Sequence, residues 1–265
     1  MRTPAIVLIT AMLGGCASVS RSGGFQSAAG PDVRQSSDRL LQLATEFEAH
    51  GDTTAAIALY RQATVVPGGA IAADIRLGDA YARTDNLKGA IEAYRAAIAK
   101  DPNSSEALLG LGTALIRTNN IDGGLAALGR AAPMVNTAIA YNRLGLAQTF
   151  AGRMPDAVAS LERAAALAPG DLDIRTNLAL AAALDGRDER AIALAQEVAA
   201  SPKAEVRHRR NLIIVLGLFG RAVDARSAIA REIPASEVQA LLARAGTIRT
   251  IKDVKARAKA LGAIM

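Results

Sequence analysis

Two asparagines, Asn177 and Asn211, lie 34 residues apart, with arginines Arg207 and Arg210 close before the second. Each carboxamide offers one acceptor and two donor hydrogens, the functions needed to pair with a polypeptide backbone. A guanidinium presents a planar fork of donors that fits a carboxylate. Arg76 and Arg143 occupy the corresponding place in earlier stretches of the chain. The chemistry these residues suit is recognition, and little else in the sequence suits catalysis. His50 and His208 are far apart, and neither comes with a cysteine or carboxylate set at metal-ligand spacing, so no zinc site is expected. No phosphate-cradling glycine loop, nucleophile elbow or haem attachment motif is present, and no cofactor is called for. Cys16 is the single thiol.

The elements that position these residues are helices. From Ile71 to Pro102 the chain places Ile75, Leu77, Gly78 and Tyr81 largely on one helical face. Thr84, Asp85 and Asn86 interrupt with residues that favour turns and helix starts. Ala90, Ile91, Tyr94, Ala97 and Ile98 then resume the helical spacing, and Pro102 stops it. Such a hairpin cannot cover its own apolar faces, and the chain supplies neighbours by repetition. Units start at 37, 71, 105, 138, 172 and 206, at intervals of 33 or 34 residues. In the eighth slot, Gly78, Gly112 and Gly145 mark close approach of two helices, with Ala90 and Ala157 facing the first and last. At the turn, Gly51, Gly152, Gly186 and Gly220 share one slot with Asp85 and Asn119, where a helix end can need positive φ. Leu212 to Phe219, the most apolar run, fits core slots rather than a membrane span.

This period resembles the tetratricopeptide repeat. The resemblance implies an all-α solenoid of about six helical hairpins over 37–235, followed by a capping helix and basic tail over 236–265. Ser236-Glu237-Val238-Gln239 reads as a capping box for that last helix. In such proteins the first helix of each unit lines a concave groove, and asparagines there hold an extended peptide. The sixth slot, filled by Arg76, Arg143, Asn177 and Asn211, would then face a partner, with Arg207 and Arg210 available to its carboxylates. From Arg249 onward, Arg249, Lys252, Lys255, Arg257 and Lys259 are opposed by Asp253 alone. That stretch reads either as a basic partner-binding tail or as a solvated helix.

With 51% hydrophobic but only 3% aromatic residues, the chain must bury many small aliphatic contacts. A net charge of +6 from 31 basic and 25 acidic residues admits an acidic partner or anionic surface. Nucleic acid is not expected, because Trp is absent and the few other aromatic rings fall in repeat-core slots.

Residues 1–15 read as an export signal: Arg2, an apolar run from Ala5 to Leu13, then Leu13-Gly14-Gly15-Cys16. The last four resemble a bacterial lipobox, which implies diacylglycerol on Cys16 and cleavage before it. Acyl chains would anchor the protein in the membrane. Ala17 and Ser18 follow instead of aspartate, which by resemblance to enterobacterial sorting implies the outer membrane, facing the periplasm. Residues 16–36, rich in Ser and Gly, read as a flexible tether with a reach on the order of 25 Å.

The stretch from Val206 to Arg221, including Arg210-Asn211-Leu212 and Gly220-Arg221, is similar to the Arg-x-Asn-Leu-Ala-Leu-x-Leu-x-Leu-x-Gly-Arg of the TadD lipoproteins of the Flp (Tad) pilus apparatus. Ala228 to Pro234 resembles that family's Ile-Ala-Arg-x-Asp-Leu-Pro, while the tail after Arg244 is longer and more basic than the family pattern. The resemblance implies a non-enzymatic scaffold or pilotin that helps assemble the pilus secretion pore, with the secretin or another Tad protein as partner. Two other readings stay open on the sequence. One is a general periplasmic scaffold for outer-membrane protein or envelope polysaccharide assembly. The other is an enzyme or cofactor-delivery subunit.

Overall fold

The computed structural model describes residues 31–67, 70–228 and 233–262. The signal sequence, Cys16, the tether up to residue 30, and residues 229–232 of the Ala228–Pro234 motif lie outside them. Among the described residues there are fourteen helices and no strand. They pair as α1 (Pro31–Ala49) with α2 (Thr53–Val65), α3 (Ile71–Arg83) with α4 (Leu87–Lys100), and α5 (Ser105–Arg117) with α6 (Ile121–Val135). Next come α7 (Ala138–Phe150) with α8 (Met154–Leu167), α9 (Leu172–Leu184) with α10 (Asp188–Ala200), and α11 (Val206–Leu218) with α12 (Ala222–Ala228). The chain closes with α13 (Ala235–Thr250) and α14 (Val254–Gly262).

Local chemistry fixes these limits. Asp52, Asn86, Ser104, Asn120, Thr137 and Asp171 each accept a first-turn backbone N–H through their side chains. The turn slot inside each hairpin is left-handed throughout, with φ of +60° at Asp85, +62° at Asn119 and +76° to +83° at the four glycines. An asparagine or aspartate tolerates that conformation, and a glycine adopts it without penalty.

Two boundaries differ from the sequence reading. α1 begins at Pro31, six residues before Ser37, so the last part of the supposed tether is helical. Proline fits the first helical position, where its missing N–H has no partner to lose. α13 starts after Pro234 without a side-chain cap, and Ser236 lies inside the helix, so the expected capping box is not formed. A capping box does occur at α11. The Glu205 side chain accepts the His208 N–H, and His208 Nδ1 accepts the Glu205 N–H at 2.9 Å.

The hairpins of units one to five close on the small residue of the eighth slot, whereas unit six carries buried Ile213 there. A Cβ at Gly112 would lie 2.6 Å from Leu128 Cγ, and one at Gly145 would lie 2.6 Å from Leu161 Cγ. At Gly78 it would meet the Tyr94 ring at 2.6 Å. That ring also lies over Gly110 of the next unit, so Tyr94 packs within its own hairpin and across to its neighbour. The first helices α3, α5, α7, α9 and α11 touch in series, while no two successive second helices make a comparable contact among the described residues. The first helices therefore crowd the inside of the curve, and the second helices fan out.

Polar side chains about one period apart tie the crowded side together. Arg83 pairs with Glu48, and Arg117 Nη1 donates to the Ala82 carbonyl at 2.9 Å. Asn177 Nδ2 donates to Asn142 Oδ1 at 3.0 Å. Arg207 grips Asp173 through Nε and Nη2, both at 3.1 Å. His208 is buried, and since its Nδ1 accepts a hydrogen, Nε2 carries one and donates to Asp173 Oδ1 at 3.0 Å.

At the C-terminal end, α13 packs along α11 and covers it. The stretch read as a basic partner-binding tail or a solvated helix holds α14, which returns to α7 and α9.

Two measurements test this packing. Replacing Gly145 with alanine pushes a methyl into buried Leu161, so overpacking of about 1–3 kcal/mol exceeds the helix-propensity gain of about 1 kcal/mol. Gly129 has no atom within 4 Å of an added Cβ, so Gly129→Ala should instead stabilise by up to about 1 kcal/mol. Urea unfolding followed by circular dichroism should show opposite signs, and equal signs would contradict the packing. For the Asp173 tie, burial pushes the carboxyl up, but the hydrogen bonds from Arg207 and His208 outweigh it and hold the pKa below the ordinary value. A lowered folded pKa means the contribution is complete above the unfolded carboxylate pKa and is lost as pH falls through the folded one. Its size is small, because the side chain is 60% exposed. In an NMR titration Arg207→Ala should move the Asp173 carboxyl upward, and an unmoved titration would show that Arg207 does not set it.

Candidate functional site

The inner wall formed by α3, α5, α7, α9 and α11 carries every groove residue singled out from the sequence. Its two ends differ in chemistry.

Toward the N-terminal end, α3, α5 and α7 enclose a hollow of about 610 Å3. Arg76, Arg83, Arg117 and Arg143 line it, with Asp79 and Glu106 as its carboxylates. Tyr94 forms part of the floor. Its hydroxyl donates to Asp79 Oδ1 at 2.7 Å, and burial, followed by the Asp79 hydrogen bond and charge, pushes the phenol well above its ordinary range. It therefore stays neutral and acts as a fixed donor. The nearest recorded ion pair of Arg76 is with Asp79 at 3.9 Å, and the Arg76 side chain is 62% exposed. Arg143 Nη1 donates to the Thr113 hydroxyl at 3.3 Å. Arg83 and Arg117 are held by Glu48 and Asp85 on the rim. The sixth slot of the intervening unit is Gly110, left without a side chain beneath the Tyr94 ring. That gap adds to the depth of the hollow.

Toward the C-terminal end, Asp173, Thr176, Asn177, Arg207, Arg210, Asn211 and Ile214 surround a smaller cleft of about 160 Å3. Here the arrangement departs from the sequence reading. Arg207 is already shared between Asp173 and Glu205, the latter at 2.7 Å. Arg210 Nε donates to Glu237 Oε1 of α13 at 2.5 Å. Both guanidinium groups are thus engaged by carboxylates of the chain itself. Asn177 spends a donor on Asn142, a residue the sequence reading passed over although it sits in the slot before Arg143. Asn211 lines the same cleft as Asn177. The structure therefore brings Arg76 and Arg143 together in one hollow, and Asn177, Arg207, Arg210 and Asn211 in another.

Between the two lies an apolar patch of Leu146, Phe150, Leu180 and Ala181, over which α14 is laid. The sequence carried a signal for this: Ala258 and Leu261 are three residues apart in an otherwise basic stretch.

Among the described residues no group of histidine, cysteine and carboxylate side chains is placed to hold a metal, and no helix is long and apolar enough to cross a membrane. A comparison with curated protein sequences finds no match. Among solved structures, the chain is similar to PilW, described as a widely conserved type IV pilus biogenesis factor. The TM-score is 0.67 at 22% identity, over 79% of this chain and 99% of that one. It is similar to PilF of Pseudomonas aeruginosa, with a TM-score of 0.63 at 19% identity over 79% and 97% of the two chains. A tetratricopeptide repeat protein from Parabacteroides merdae matches with a TM-score of 0.65 at 15% identity over 86% and 93%. At these identities the likeness is one of fold. The family model for the tetratricopeptide repeat matches residues 41–105, 75–142, 109–171 and 142–205, and the chain belongs to the tetratricopeptide-repeat family.

Proposed function

We infer that this protein is a binding scaffold in pilus assembly, an outer-membrane lipoprotein of the Flp (Tad) apparatus that holds a segment of the secretin or of another Tad component. The observation that carries the binding role is the hollow between α3 and α7, where four guanidinium groups meet two lining carboxylates on the inside of the curve. Arg76 and Arg143 approach it from opposite sides in sequence with weak internal partners, so a client carboxylate can gain charge-assisted hydrogen bonds there. Tyr94 and Thr113 supply neutral hydroxyls beside them. The client chemistry this favours is an acidic segment. Electrostatic attraction of this kind chiefly raises the association rate and fixes register.

Repeat-family membership supports an interaction role rather than an enzymatic one. The fold shared with PilW, a type IV pilus biogenesis factor, supports the pilus context. The sequence resemblance around Val206–Arg221 supports the Tad branch, and the motif ending at Cys16 supports attachment through acyl chains. Lipid would then fix the location, the tether would give reach, and the inner wall would present the contact surface.

Two experiments test this reading in full-length protein. Arg76→Glu together with Arg143→Glu should weaken capture of the secretin from solubilised envelope by at least about tenfold, because each substitution opposes the client's charge. Unchanged capture by the folded variant would remove the hollow from the mechanism. Recovery of outer-membrane protein assembly factors in place of Tad components would transfer the protein to general scaffolding. Cys16→Ser should abolish labelling by radioactive palmitate, and the uncleaved apolar signal should leave the variant in the inner instead of the outer membrane. Continued labelling of the variant, or its unchanged recovery in the outer membrane, would refute the acyl anchor.

A further inference from the structure

After Thr250 the chain turns through residues 251–253, and α14 lies back on the inner wall against α7 and α9. The turn is closed by Arg257, whose Nε and Nη2 donate to the Ile251 carbonyl at 3.1 and 2.8 Å. Ala258 and Leu261, on one face, are 2% and 3% exposed, while Lys252, Lys255 and Lys259 are on the solvent side. The array does not need this helix to close its end. Units four and five stack directly through α8 and α9, and α13 already covers α11. α14 is a short amphipathic helix seated on the face that a client would use.

The seat is larger than its occupant. A cleft of about 230 Å3 stays open between α14 and the wall, bordered mainly by Leu146, Phe150, Leu180 and Ala181. α14 offers it Ala258, Leu261 and Gly262, two of them the smallest residues available. Protein interiors are close-packed, and a wall without partner atoms forfeits dispersion contacts. Leu146 and Phe150 stay only half-buried beneath α14, so a partner helix with more apolar surface than α14 would recover those contacts.

We propose that the wall between α7 and α9 is a docking site for an amphipathic helix of a partner protein, and that α14 is its resident, displaceable occupant. The partner helix has an aliphatic seam at the same spacing as Ala258 and Leu261, with more apolar surface alongside it to cover Leu146 and Phe150. Recognition is of the helix-in-groove kind. α14 lowers the apparent affinity of every competitor by the fraction of molecules in which it is seated. The proposal deepens the scaffold reading above and rests on the inner wall being the client surface.

The test uses the full-length chain and its own helix as the probe. A fluorescent peptide of residues 251–262 is titrated into the unaltered protein and into the double variant Ala258→Asp, Leu261→Asp, which ejects α14. The variant should bind the peptide at least about tenfold more tightly than the unaltered protein, whose seat is filled. Equal binding by both proteins, or no binding by a variant whose helical content is retained, would overturn the proposal. Should the variant not fold, hydrogen exchange on the unaltered chain decides. α14 amides should exchange by local opening, well ahead of those of α9 and α13. Exchange of α14 only together with α7 and α9 would make it a fixed part of the fold. Loss of peptide binding with secretin capture preserved would sink this inference and leave the scaffold function standing.

Discussion

The Tyr94 ring rests on Gly78 of its own hairpin and Gly110 of the next, while its hydroxyl reaches Asp79 on the inner wall. In this one contact the constraint on the whole molecule is visible. A helical hairpin with an apolar face on both sides is stable only when a neighbour covers the second side, so stability accrues from unit to unit. Tyr60, Leu128 and Leu161 occupy the equivalent place in their units, and each is fully buried. Where the eighth slot is glycine the helices close to near backbone contact, as between Gly145 and the Ala157 carbonyl, 3.2 Å from an added Cβ. Units one and five use Ala44 and Ala179 there, both buried. Unit six departs from this pattern with Ile213, fully buried in the apolar core at the C-terminal end.

The crowding of first helices follows, and it settles what the inner wall can be. Side chains on adjacent first helices come within hydrogen-bond reach, so residues about one period apart find each other: Arg83 with Glu48, Asn177 with Asn142, Arg207 and His208 with Asp173. These ties consume recognition chemistry that would otherwise face a client. They are densest around α9 and α11 and leave Arg76 and Arg143 the most lightly engaged of the wall's candidate cations. The wall thus divides by packing into a charged hollow, an apolar strip and a pre-neutralised cleft.

What the sequence carried and what it hid separate along the same line. Features set by one residue's backbone preference recur with the period and were legible: the helix starts at Ile71, Ser105, Ala138, Leu172 and Val206, and the left-handed slot from Gly51 to Gly220. The start of α1 falls inside the stretch read as tether, because proline, a breaker within a helix, also fits a first helical position. Arg207 and Arg210, read one at a time, show no partner in the sequence. Comparing the second slots of consecutive units sets Arg207 against Asp173, so that pair was within reach of the period itself. The bond from Arg210 to Glu237 was not, since α13 stands outside the repeat.

The return of α14 belongs to a third class, fixed by neither local preference nor period. A stretch with four alanines or glycines among nine residues and a basic flank has too little apolar area to fold alone. Its helix exists because the wall beneath it is apolar, and the wall is apolar because Leu146, Phe150 and Leu180 project from first helices whose other faces are already committed to the core. The three-residue turn keeps α14 at high effective concentration over that strip, so even a weak contact stays largely made. A weak contact made persistent by tethering differs in kind from the core interlocks, because it can open without unstacking any hairpin. The interlocks set the curve, the curve sets the apolar strip, and the strip holds a helix by covering it rather than by threading it into the stack.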